Sequence, residues 1–195
     1  MTLATQVEPQ LTISAQPDSA AVVFVYDGFP TPSFQAMTVV SESGQFLAQV
    51  RPHSYAVAQV KAGHVGFYAG RPELGYHEWC HGLRGEVAAG KVYVFSIGSM
   101  FGTGSLAAEH APRFPAEKMG AYLSLFSQLG PDPTRAQAET DRVAADFWKP
   151  CVEAQADQEA DLAKSGLEHM ENFQGAFRVK PEDGYDSPLA VPEPP

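Results

Sequence analysis

Between Ala21 and Ile97 the chain is a succession of short β-branched and aromatic runs cut by turn dipeptides. The runs are Ala21–Asp27, Gln35–Glu42, Gln45–Arg51, Tyr55–Val60, His64–Ala69, Leu83–Ala88 and Lys91–Ile97. Ser43-Gly44, Pro52-His53, Ala62-Gly63 and Ala89-Gly90 separate several of them, and Pro30 and Pro32 break the stretch after the first. Turn signals at this spacing, about every 8–12 residues, predict an antiparallel β-sandwich or barrel, and we expect the sandwich. In the last run Val92, Val94 and Ser96 share one face of a strand, and Tyr93, Phe95 and Ile97 share the other.

The pattern changes after Ile97. Residues 99–113 read as a Gly-containing linker, and from Pro115 the spacing becomes helical. Met119, Tyr122, Leu123, Phe126 and Leu129 fall on one helical face. Asp132 and Pro133 supply an N-cap and a first helical residue for a second helix, which Pro150 kinks. The expected layout is an extended leader over 1–19, a β-sandwich domain over 20–98, the linker, helices over 114–174, and a Pro-rich extended tail over 175–195. Mainly β with C-terminal helices is therefore the predicted class.

Composition narrows the partners. The formal net charge is -10, and no Lys/Arg cluster offsets it, which argues against nucleic acid and anionic lipid surfaces. No window approaches the roughly 18 apolar residues of a membrane span. The first 20 residues also lack the basic start and apolar core of an export signal, which by itself reads as cytoplasmic.

The densest chemistry is His77-Glu78-Trp79-Cys80-His81. Imidazole and thiolate are zinc ligands, so His77, Cys80 and His81 are candidate metal residues, with His64 as a possible fourth. On a strand His77 and His81 share a face and Cys80 points away, so a site needs a loop. The plain alternative is that Trp79 and Cys80 are core residues. Cys80 with a neighbouring histidine could also be a nucleophile, although no electropositive setting lowers its thiol pKa. Cys80 and Cys151 are the two cysteines and are candidates for one disulfide in an oxidising compartment. Glu153, Asp157, Glu159 and Asp161 read as a solvated acidic face rather than a site.

Ala21–Asp27, the turn Val60-Lys61-Ala62-Gly63-His64, the segment His77-Glu78-Trp79-Cys80 and the strand Val87–Phe95 together resemble a family of small bacterial envelope proteins. Many of these are lipoproteins, and the family is known only as a domain of unknown function. Asp27 stands where the family often has a basic residue, and Ala62 where proline is usual. The resemblance covers about residues 20–98. It implies a β-sandwich, a periplasmic or envelope location and no catalytic residue.

Three functions follow as expectations. The first is a non-enzymatic structural or interaction subunit with no cofactor, docking on a protein partner through strand edges and the C-terminal helix. The second is a zinc-binding module built on His77, Cys80 and His81. The third is a thiol enzyme using Cys80.

Overall fold

A computed structural model describes residues 4–6, 12–27, 36–70, 81–100, 103–109, 114–131, 153 and 178–192. The fold is mainly β, with one α-helix among these residues. The strands are β1 (Ala4–Gln6), β2 (Thr12–Ile13), β3 (Ser19–Tyr26), β4 (Met37–Ser41), β5 (Phe46–Val50), β6 (Ser54–Lys61) and β7 (Gly63–Gly70). They continue with β8 (His81–Val87), β9 (Lys91–Met100), β10 (Thr103–Glu109), β11 (Ser127–Pro131), β12 (Arg178–Val179), β13 (Tyr185–Asp186) and β14 (Leu189–Ala190). The helix α1 is Ala116–Leu123.

Two principal sheets form. The first has the order β1-β11-β6-β3-β9-β10, with β13 on β9, and the second has the order β12-β8-β7-β4-β5. The chain weaves between them: β3 in the first, β4 and β5 in the second, β6 back, β7 and β8 out again, then β9 and β10. Because a full excursion separates β3 from β9, the two run parallel, from Ala21↔Val92 to Tyr26↔Ile97. The pairs β11–β6 and β12–β8 are also parallel. The expectation of a wholly antiparallel arrangement is thus corrected. Long connections permit parallel partners, and only the hairpins must be antiparallel.

Strand alternation places the core. Ala20, Val22, Phe24 and Tyr26 of β3 join Tyr93, Phe95 and Ile97 of β9 on one face, against Met37, Val39, Ala48, Val50, Phe67 and Leu83 of the second sheet. The ring centroids of Phe24 and Phe67 are 5.5 Å apart, and those of Phe67 and Phe95 are 5.3 Å apart. Burying such a ring is worth about 1.5–3 kcal/mol, more than the roughly 0.5–1.5 kcal/mol of pair geometry, so burial dominates this contact. On the other face of β3, Ala21, Val23 and Val25 meet Val92, Val94 and Tyr55, and are covered by Met119, Leu123, Tyr185, Leu189 and Val191. The strand β3 is therefore buried on both faces, which explains its unbroken apolar run.

The helical expectation needs correction. The helix α1 buries Met119, Gly120 and Leu123 but stops at Leu123, and Ser127–Pro131 is a strand. Leu129 is buried from that strand, not from a helical face. The reason is tertiary: β11 supplies a partner for β6, from Ser127↔Ser54 to Leu129↔Ala56, and sheet hydrogen bonds outweigh local propensity. Apart from the single helical residue Glu153, the second helix expected over 134–173 lies outside the described residues.

The stretch read as a linker contains β10, which pairs with β9 from Thr103↔Met100 to Glu109↔Val94 and comes close to β8 and β7. The tail read as merely extended is bound in. Its two-residue strands β12, β13 and β14 pair with β8, β9 and β2 in turn. We call residues 178–192 the strap and residues 4–131 the body.

Candidate functional site

The sequence places its chemistry at the join of β7 and β8. His81 opens β8 and lies in register with Ala69, while His64 lies in register with Glu86 at the opposite end of the same hairpin. Five residues of strand therefore separate the two registers, about 16 Å at roughly 3.3 Å per residue. That span is too long for two imidazoles on one zinc ion, whose bonds to nitrogen are about 2.0–2.1 Å. His64 instead has Nε2 3.6 Å from Glu42 Oε2, an exposed and solvent-screened pair. The metal candidates His77 and Cys80 lie outside the described residues, as does Cys151, and so does the proposed Cys80–Cys151 bond. Among the described residues no group of three or more His, Cys, Asp or Glu side chains comes together. No described helix is long and apolar enough to cross a membrane.

On the outer face of the second sheet, register brings Tyr68 and Arg84 together, and Thr38 lies on the same face of β4. The Tyr68 hydroxyl accepts from Arg84 Nε at 2.9 Å and from Arg84 Nη2 at 2.7 Å. Thr38 is fully buried and its Oγ1 has no hydrogen-bond partner among the described residues. Charge-assisted bonds hold the phenol in place.

The sheet edges differ in how well they are protected. In the first sheet β1 has three residues, and in the second β12 has two. The strand β5 has five residues, but Ala48, Gln49 and Val50 are buried. The strand β10 has seven residues, TGSLAAE, and ends the first sheet with no further strand beyond it among the described residues. Proteins usually blunt such an edge with lysine, proline or a bulge. Here the sequence offers none of these, and Glu109 is its one charge.

A second feature was hidden from sequence reasoning: the groove that holds the strap. The strap enters beside β8, where Val179 pairs with Gly85. Gly85 has φ +155°, and a Cβ there would run into the Val179 carbonyl. The Tyr93 hydroxyl donates to the Pro181 carbonyl at 3.0 Å and accepts from the Ala88 amide at 2.8 Å. Burial raises the Tyr93 phenol pKa above its ordinary value, and the Ala88 amide and Lys91 oppose that rise. Farther on, Lys91 Nζ is 2.7 Å from Asp186 Oδ1, and the Ala15 amide donates to Ser187 Oγ at 2.9 Å. Leu189 and Val191 then close the second core against α1, where Gly120 leaves room for the Ala190 carbonyl. The available signal was the apolar series Val179, Tyr185, Leu189 and Val191, too sparse to show a period.

No protein-family model matches this chain, and no curated protein matches it.

Proposed function

We propose that the chain is a non-enzymatic β-sandwich subunit that docks onto a protein partner by adding a strand at the β10 edge. One observation carries the reading. The strand β10 is the longest terminal strand among the described residues and has no lysine, proline or paired neighbour on its far side there. Its backbone donors and acceptors are a template for a partner strand, and main-chain hydrogen bonds would provide the affinity. The resemblance of residues 20–98 to envelope proteins supports a bacterial cell-envelope assembly as the setting. Helix docking, the other expected mode, would involve residues outside the described set.

A photo-crosslinking residue placed at Ser105 or Ala107 tests the reading in cells that make the protein. These positions are register partners of Gly98 and Ser96. The expected result is a discrete protein adduct from β10 that disappears with Ala107→Lys. Adducts spread evenly over β5 and β10, or none from β10, would overturn it.

A further inference from the structure

The strap and its groove form a peptide-recognition unit whose parts are far apart in the chain. From Val179 to Val191 the strap puts one side chain into the first core and three into the second: Val179 in one, and Tyr185, Leu189 and Val191 in the other. Its ladder partners are Arg84, Gly85, Val92, Lys91, Ile13 and Thr12, all in the body. The Gly90 carbonyl accepts from the Ser187 amide at 3.1 Å.

The fit is specific to this sequence. Gly85 and Gly120 are the two places where strap carbonyls come too close for a Cβ, and Gly184 sits against the Tyr93 ring with the same demand. Asp186 meets Lys91 at the point where β13 pairs with β9. An arbitrary extended peptide would meet none of these conditions together. A strap from a second copy meets them all.

We propose that the strap is exchangeable between copies of this chain, so that the groove of one protomer takes residues 178–192 of another. The body and the strap are joined through residues 132–177, and every described strand pairing of the strap is with the body. The same pairings therefore form whichever copy supplies the strap. Exchange conserves the native interface, which makes it an economical route to a dimer, and the reciprocal form closes with two-fold symmetry. Its extent rises with protein concentration, because the strap of the same chain competes at a fixed effective concentration. The proposal does not depend on the β10 edge: Ala107→Lys leaves it unchanged.

The short Lys91–Asp186 contact provides the test. Full-length protein is prepared with natural and with heavy-isotope nitrogen, and the two are mixed at high concentration. Zero-length carbodiimide coupling then joins the Lys91 amine to the Asp186 carboxylate as an amide. Mass spectrometry of the cross-linked peptides shows whether both halves carry the same label. Exchange gives mixed-label pairs in the dimer fraction, at the statistical share, and their yield falls on dilution before coupling. Same-label pairs at every concentration, including after unfolding and refolding of the mixture, would overturn the proposal. So would a dimer fraction without mixed pairs.

Discussion

The hydroxyl of Tyr93, on a central strand of the first sheet, donates to the carbonyl of Pro181 at 3.0 Å. It is a direct polar tie between the body and the strap. With the Ala88 amide as donor on its other side, the phenol serves two backbone groups distant in sequence.

Tyr93→Phe removes the oxygen and leaves both backbone groups short of a partner. Each such loss costs roughly 1–3 kcal/mol when the group is buried and less where water reaches it. We expect a fall of about 1–2 kcal/mol in unfolding free energy, read from the denaturant midpoint at unchanged slope. A variant as stable as the parent would show that the tie carries no net energy.

The same phenol gives a pH dependence. Burial raises the pKa of Tyr93, and burial alone raises that of Tyr55, whose hydroxyl lies 3.2 Å from Gln128 Oε1. Both folded values lie above the unfolded value of about 10. The unfolded chain therefore loses these protons first. The contribution is fully present below about pH 10 and is lost as pH rises through the folded values. Equilibrium unfolding between neutral and strongly alkaline pH should show stability dropping above about pH 10, and Tyr93→Phe should flatten part of that drop. A parallel decline in parent and variant would remove Tyr93 from the account.

Gly120→Ala tests the strap from the helix side. On propensity alone, alanine in a helix is favoured over glycine by about 1 kcal/mol. In this fold the added Cβ meets the Ala190 carbonyl, a backbone group that cannot swing aside. We expect net destabilisation of about 1–3 kcal/mol, with amide exchange fastest in residues 185–191. A stabilised variant would mean that the strap does not press on α1.

Thr38→Val tests the second sheet. The Thr38 hydroxyl is buried with no partner among the described residues, and valine has nearly the same shape without the oxygen. Burying an unpaired hydroxyl costs about 1–3 kcal/mol, so the variant should match or exceed the parent in thermal stability. A clear loss would reveal a bond made by Oγ1 in solution.

The strands between Ala21 and Ile97 were legible because each carries two independent signals, β-branched or aromatic content and a turn at its end. The assignment of Tyr93 and Phe95 to one core and Val92 and Val94 to the other follows from alternation alone. The parallel pairing of β3 with β9 was not legible, since direction depends on the path between strands and not on their residues. The strand β11 was misread as helix because Phe126 and Leu129 fit a helical stripe continuing from Leu123, while the free side of β6 that recruits them is a tertiary fact. The strap was missed for a related reason. Two-residue strands have no period, and the demand for Gly85 and Gly120 becomes visible only when Val179 and Ala190 are beside them. At the candidate site, the expected strand began only at Leu83, and the distance of His81 from His64 depends on hairpin register, which spacing in the sequence does not give.

The bond between Ala15 and Ser187 spans 172 positions of the chain. Synthesis proceeds from the N-terminus. A nascent chain that has already produced β2, β3, β9 and α1 therefore holds Ile13, Val23 and Leu123 without Tyr185, Leu189 and Val191 to cover them. Its second core stays wet until residues 185–191 follow. Docking of the strap is thus a late step of folding, and a chain without residues 185–191 would present an open apolar trough on one face of β3, the kind of surface that chaperones and quality-control proteases recognise.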